Sequence, residues 1–448
     1  MYKVYRAEIL SFKKDPVECK TILEALNYYK DALIILKKGL IVDVGDYEEI
    51  KKKYKLKNKT INETFKNKLI IPGFIDTHIH YAQTEMIASF GEELLPWLEK
   101  YTFPTELKFD DKKYAKKISE FFIKQLLKNG TTTALVLGTV HKQSVDTIFK
   151  AANKINMRLI AGKVMMDRHA PEKLLDTAKD SYIQSEKLIK KWHNKNRLSY
   201  AITPRFAPTS TEEQLKLAGK LKKKYPSTYV HTHLSENKNE IKWVKSLFPK
   251  AKSYLDVYNT YGLVEKRSVF AHAIYLEKEE YKVLSKKGAA ISFCPTSNLF
   301  LGSGLFKIRN MKKENIKIGL GTDVGAGTSF SMLKTLNEAY KVISLEQNGK
   351  ENKKLFSAFE GFYQATLGSA KSLYLEDKIG KLQAGYEADF IVIDFKADEL
   401  QELRISKIQE TNKSDLEKLE EKLFALMIMG DDRNILATFI NGKITFCK

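Results

Sequence analysis

The sequence predicts an α/β fold, a parallel (β/α)8 TIM-like barrel with a small β-sandwich domain built from both chain ends. Three observations predict it. Short apolar runs alternate with amphipathic stretches through the middle of the chain, β-rich pieces are confined to the two flanks, and histidines and acids collect at the ends of the apolar runs. A length of 448 residues leaves room for a barrel of about 250 residues with a smaller companion. The expected divisions are 1–70 and 376–448 for the two halves of the β domain and 71–375 for the catalytic barrel.

The first flank carries apolar β-type runs at 4–12 and 32–44. Eight further runs follow, at 71–80, 131–138, 158–167, 198–206, 228–233, 268–272, 289–294 and 316–321. Helical spacing of apolar residues lies between them, at 111–129, 181–194, 212–224 and 329–345. Strand and helix in strict alternation give a parallel sheet, and eight units in one block close it into a barrel whose active face is the C-terminal end of the strands. The tail returns to strands at 390–394 and 437–443, where Asn441-Gly442 between apolar residues signals a tight hairpin.

Composition narrows the class. Hydrophobic residues make up 43%, enough for a large core, and no window reaches the apolar length of a membrane span. Cys19, Cys294 and Cys447 are too scattered for a disulfide framework or a cysteine metal site. With no basic-then-apolar leader at Met1-Tyr2-Lys3-Val4, a cytoplasmic protein without membrane partners is expected. The formal charge of +21 invites a nucleic-acid reading, but the lysines are dispersed over amphipathic helices, as between Lys116 and Lys128. The His-x-Glu and Pro-Cys-x-x-Cys pattern of nucleic-acid deaminases is absent, so no nucleic-acid partner is expected.

The chemistry gathers at the strand ends. His78 and His80 stand two residues apart on the first barrel strand and so face the same way. The fifth run ends in a second such pair, His231 and His233, with Glu236 just beyond; the sixth ends in His272 and the eighth in Gly321-Thr322-Asp323. Three imidazoles and a carboxylate meeting at one point suit a borderline-soft divalent ion such as zinc and leave a position for water. Zinc lowers the pKa of its water from 15.7 to about 7. Glu236 is then placed to carry protons, His272 to polarise the attacking oxygen or the tetrahedral centre, and Asp323 to take a proton as well as bind metal. Singly, each residue has a plainer reading: His272 as a core histidine, Asp323 as a loop cap, His231 as the structural member of its pair. His141, His169 and His193 have no expected catalytic role.

Taken together, these residues make the chain resemble the amidohydrolase superfamily, through Pro72-Gly73-Phe74-Ile75-Asp76-Thr77-His78-Ile79-His80, His233, His272 and Gly321-Thr322-Asp323. Within that superfamily it is similar to the guanine deaminase family. The narrower likeness rests on Leu95-Pro96-Trp97-Leu98-Glu99-Lys100-Tyr101-Thr102-Phe103-Pro104, Lys128-Asn129-Gly130-Thr131-Thr132-Thr133, Thr203-Pro204-Arg205-Phe206, His233-Leu234-Ser235-Glu236-Asn237 and Gly430-Asp431-Asp432-Arg433-Asn434-Ile435.

The resemblance implies one zinc ion per subunit, with iron left open, on His78, His80, His233 and Asp323. It implies Glu236 as proton shuttle, His272 as a second catalytic residue and a homodimer as the assembly. Gln83, Arg205 and Phe206 fall on guanine-contacting positions, and His233 and Asp323 also face the substrate. A Gln amide donates and accepts at a purine edge, an Arg donates to the carbonyl that distinguishes guanine from adenine, and an aromatic ring packs on the base. A rim salt bridge is the plainer reading of Arg205. The implied activity is hydrolysis of guanine by water to xanthine and ammonia. Departures from the family pattern occur at Gly325-Ala326-Gly327 and at His231, where an amide is familiar. The segment 81–110, with Trp97, Tyr101 and Phe103, reads as a lid or pocket wall, or as local core.

Overall fold

A computed structural model describes residues 2–91 and 93–448. Eight parallel strands follow one another as expected: Phe74–His80, Thr131–Leu137, Arg158–Gly162, Leu198–Pro204, Tyr229–Leu234, Ser268–His272, Ala290–Phe293 and Lys317–Leu320. Each is hydrogen-bonded to the next. The first two strands are buried at every residue, as expected of a parallel sheet covered on both faces. The ring closes at the C-terminal rim, where Asp323 N donates to His78 O and His80 N donates to Val324 O, both at 2.9 Å. Asp76 adds a side-chain clasp between the same two strands, accepting from Thr322 N at 3.1 Å and from Thr322 Oγ1 at 2.5 Å.

The four expected helices appear as Lys112–Lys128, Ala178–Trp192, Glu212–Lys224 and Met332–Glu346. Their starts are set by Asp111, Thr177, Thr211 and Ser331, whose side chains accept a first-turn backbone N–H. Their apolar faces pack onto the barrel in one large core.

Two of the eight apolar runs prove composite. The run at 71–80 begins in the flanking sheet, whose strand Glu63–Pro72 ends where the barrel strand begins after Gly73. A β-carbon at Gly73 would lie 2.2 Å from the Thr132 side chain, so only glycine lets the chain cross between sheets here. The run at 158–167 breaks at Lys163, which is fully buried and ion-paired with Asp176; pairing resumes at Val164–Met165.

Both chain ends build one mixed seven-stranded sheet, in the order Lys443–Cys447, Ile435–Ile440, Phe390–Ile393, Glu63–Pro72, Lys3–Phe12, Leu26–Lys37 and Leu40–Asp46. The hairpin at Asn441-Gly442 forms, with φ of 50° and 69° at the two turn residues, the left-handed pair that a type I′ turn needs. The C-terminal part is not wholly β: helices Glu399–Glu410 and Asp415–Met429 intervene, capped by Asp398 and Ser414. The second lays Leu419, Leu423 and Leu426 against barrel helix Met332–Glu346. An ionic clamp joins sheet and barrel. Arg197 Nε donates to Glu387 Oε2 at 2.9 Å and its Nη1 to Asp389 Oδ1 at 3.1 Å, while Arg158 Nε reaches Glu387 Oε2 at 3.1 Å. Among the described residues, no helix is long and apolar enough to cross a membrane.

Candidate active site

The strand ends converge as the sequence requires. His78 and His80 come from the first strand, His233 from the fifth, His272 from the sixth, and Asp323 follows the eighth. His80 Nε2 lies 3.2 Å from His233 Nε2, and Asp323 Oδ1 lies 3.1 Å from His78 Nε2 and 3.4 Å from His80 Nε2. Ligand atoms of His78, His80 and His233 lie within 4.8 Å of one another, as do those of His78, His272 and Asp323. His78 Nε2 is buried with no hydrogen-bond partner. A buried ring nitrogen left bare among imidazoles and a carboxylate is the arrangement a divalent cation satisfies.

The outer nitrogens support that fit. His233 Nδ1 lies 2.6 Å from the carbonyl oxygen of Arg205 and donates to it, which leaves the Nε2 lone pair turned inward. His78 Nδ1 is 2.7 Å from His231 Nε2, so His231 holds the ring of its neighbour. His80 Nδ1 lies 3.0 Å from Gln83 Nε2. Burial lowers the pKa of His80, and lowers those of His231 and His233 well below the imidazole range, keeping them neutral and able to ligate. Burial works against the charge of Asp323, but His78, His80 and His272 around it hold its carboxyl well below the usual range.

Glu236 and His272 stand beside this cluster, with His272 Nε2 3.4 Å from Glu236 Oε2 and 3.8 Å from Asp323 Oδ2. Glu236 is set by the helix that follows it. Asn237 caps helix Lys238–Leu247, and Glu240 reaches back to accept from Asn237 N at 3.1 Å and Glu236 N at 2.9 Å. Burial, then the charges of Asp323 and Glu240, push the Glu236 carboxyl well above the carboxylate range, which favours its proton-bearing form. The backbone is strained at this rim: Ser235, His272, Ala273 and Asp323 have φ of 49°, 71°, 51° and 51°. Non-glycine residues in that region cost about 1–3 kcal/mol each and concentrate at functional sites.

These groups open onto a cleft. Its polar side is Gln83, Arg205 and Glu236 and its apolar side includes Trp97, Phe206 and Leu301. The segment 81–110 folds as helical turns, including Tyr81–Met86, Leu94–Trp97 and Phe103–Leu107, and supplies one wall of the cleft. Arg205 does form a salt bridge, but inside the pocket: its Nη1 donates to Glu106 Oε1 at 2.9 Å and Oε2 at 2.8 Å, with both residues buried. Gln83 is likewise engaged, its Nε2 3.3 Å from Glu106 Oε1 and its Oε1 accepting from Gly325 N at 3.2 Å. His141, His169 and His193 bond elsewhere, to Asp110, Pro208 and Ser227.

Sequence reasoning missed three partners. Glu106 lies two residues past the end of the 95–104 motif, one of several acids in the 81–110 segment, and nothing sets it apart from them. Ser303, whose Oγ donates to Glu236 Oε1 at 3.1 Å, and Asn298, on the short helix Pro295–Phe300 with its Nδ2 3.0 Å from His272 Nδ1, both follow the seventh strand and have no periodic or motif signal.

The Amidohydrolase family profile matches residues 69–445. The guanine deaminase of Escherichia coli K12 is 51% identical over 444 residues, covering 99% of this chain and 98% of that protein. The solved structure of the E. coli guanine deaminase superposes with a TM-score of 0.93, covering 100% of both chains. A guanine deaminase from C. acetobutylicum, solved with guanine in its active site, is 33% identical with a TM-score of 0.88, again over 100% of both chains. The chain belongs to the amidohydrolase family and groups within it with the guanine deaminases.

Proposed function

We propose that this protein is a zinc-dependent guanine aminohydrolase, converting guanine and water to xanthine and ammonia. The observation that carries the reading is the buried His78, His80, His233 and Asp323 cluster with Glu236 beside it at the edge of a cleft bearing Arg205 and Phe206. Full-length likeness to guanine deaminases, one of them solved with guanine bound, supports the substrate.

His78, His80, His233 and Asp323 would hold the ion, which supplies Lewis acidity that makes water nucleophilic near neutral pH. The work of the chain itself follows from the geometry. Phe206 packs on the face of the base and Arg205 donates to its carbonyl oxygen with the guanidinium nitrogens that Glu106 leaves over. Gln83 reaches the purine edge once its amide turns from Glu106. Glu236 gives a proton to the ring nitrogen beside the carbon under attack, takes one from the attacking water and passes it to the departing amine, and recovers its own from the added hydroxyl as that oxygen becomes the new carbonyl. His272 Nε2 faces Glu236 and Asp323 and polarises the oxygen that adds to the base. The C–N bond to the exocyclic amine breaks and ammonia leaves.

In this reading residues 71–375 form the catalytic domain, 1–70 and 376–448 together form its companion, and the protein acts in purine breakdown or salvage as a cytoplasmic homodimer. Purified protein loaded with zinc and given guanine tests the activity by the appearance of xanthine. Turnover supports the reading, and no turnover by fully loaded protein overturns it.

A further inference from the structure

We propose that the indole N–H of Trp97 is a recognition donor for the bound base, closing on a nitrogen of its five-membered ring. The inference rests on the guanine reading and goes beyond it by assigning the far edge of the purine. Trp97 ends the short helix Leu94–Trp97 and lines the same cleft as His80, Arg205 and Glu236, yet only 2% of it is exposed. Its Nε1 is buried and has no hydrogen-bond partner. Among the described residues lining that cleft, it is the one with a buried side-chain polar atom left unpartnered.

An indole nitrogen can only donate, so what completes it is an acceptor. Buried polar groups in folded proteins are almost always paired, and an orphan in a cleft wall points to a partner that arrives with the ligand. Trp97 belongs to one apolar cluster with Leu98, Phe103 and Phe206, a setting in which a hydrogen bond to ligand is little weakened by water.

The chemistry of the base selects the acceptor. The carbon bearing the amine and its neighbouring ring nitrogen must face the His/Asp cluster and Glu236, and the carbonyl oxygen falls to Arg205. What remains is the lone pair on the five-membered ring, at N7 or N9 according to tautomer. The bond would anchor the purine at the end opposite the reacting carbon.

The test is Trp97→Phe, which keeps an aromatic wall and removes the donor, assayed with guanine, 7-deazaguanine and 9-deazaguanine. With guanine, KM rises about tenfold, the loss expected of one hydrogen bond, while kcat stays within about threefold. The penalty disappears on both deaza analogues, because the one nitrogen left in each five-membered ring carries a hydrogen and offers no lone pair to the indole. A second measurement does not depend on turnover: in ¹⁵N-labelled, zinc-loaded protein, the indole resonance missing from W97F moves downfield when xanthine saturates the wild type. An unchanged indole resonance, or a KM penalty equal on all three bases, overturns the proposal. Guanine turnover by the wild type with no W97F effect sinks this inference alone; absence of wild-type turnover sinks the guanine reading on which it rests.

Discussion

Replacing Glu236 by Gln removes the proposed proton carrier and keeps its shape, which makes it the sharpest probe of the chemistry. Ser303 Oγ donates to Glu236 Oε1 at 3.1 Å, and a Gln amide oxygen accepts the same bond. The other oxygen lies 3.4 Å from His272 Nε2, where a Gln nitrogen fits without repacking. Glu236 contributes no atom to the His/Asp ligand groups, so metal content should hold at the wild-type value. A positioned acid–base group contributes about 10²–10⁴-fold to rate. At 1.36 kcal/mol per tenfold, kcat for guanine should fall by about 2.7–5.4 kcal/mol of barrier while KM changes little. The fold should not suffer, because the substitution neutralises a carboxyl whose charge is opposed by burial. The assay follows loss of guanine and gain of xanthine under saturating substrate, with zinc measured on the same sample. A variant holding full metal and a kcat within threefold of wild type would show that Glu236 does not carry the proton.

Other perturbations separate the layers of the site. Asp323→Asn takes the carboxylate from the cluster, and zinc per chain after dialysis should fall well below wild type with the fold retained by circular dichroism; undiminished zinc would contradict its place among the ligands. Glu106→Ala leaves the buried Arg205 guanidinium uncompensated, and breaking such a pair costs about 3–5 kcal/mol, readable by urea unfolding, with a rise in KM as Arg205 loses its anchor. A loss under about 1 kcal/mol would mean that Arg205 finds other partners. Acid stability depends on the sheet-to-barrel clamp: burial opposes the charge of Glu387, but Arg197 and Arg158 hold its pKa below the ordinary 4.5. A depressed carboxyl stabilises the fold above its unfolded pKa and loses that contribution as pH falls through the folded value. Wild-type unfolding free energy should therefore fall more steeply than that of Glu387→Gln as pH drops below about 4.5; parallel curves would remove the clamp from the acid response.

Much of this architecture was legible because its signals are local and periodic. The helix at 212–224 is bounded by Thr211 and a change of pattern, and it forms over those residues. The cluster was legible because strand ends in a barrel converge by topology, so His78, His80, His233, His272 and Asp323 meet without any pairwise signal. What escaped was set by tertiary contact. The break at Lys163 depends on its burial against Asp176, and Gly73 marks a crossing between sheets only because Thr132 lies across from it. The helices at 399–410 and 415–429 were hidden behind the strand signals on either side. Glu106, Asn298 and Ser303 serve residues far away in sequence, and nothing in their own neighbourhoods announces that. Arg205 lines the cleft, and the plainer reading of it as a salt-bridge residue also has its counterpart, with the pair buried rather than at the rim.

The account stands on one claim, that the strand-end cluster and Glu236 together deaminate guanine. The most direct measurement is guanine turnover by purified protein with metal content determined on the same sample, before and after chelation. The account predicts about one zinc per chain, stoichiometric release of xanthine and ammonia, loss of activity on chelation and its return with added zinc. Full turnover by metal-free protein, or none by protein holding one zinc per chain, would contradict it.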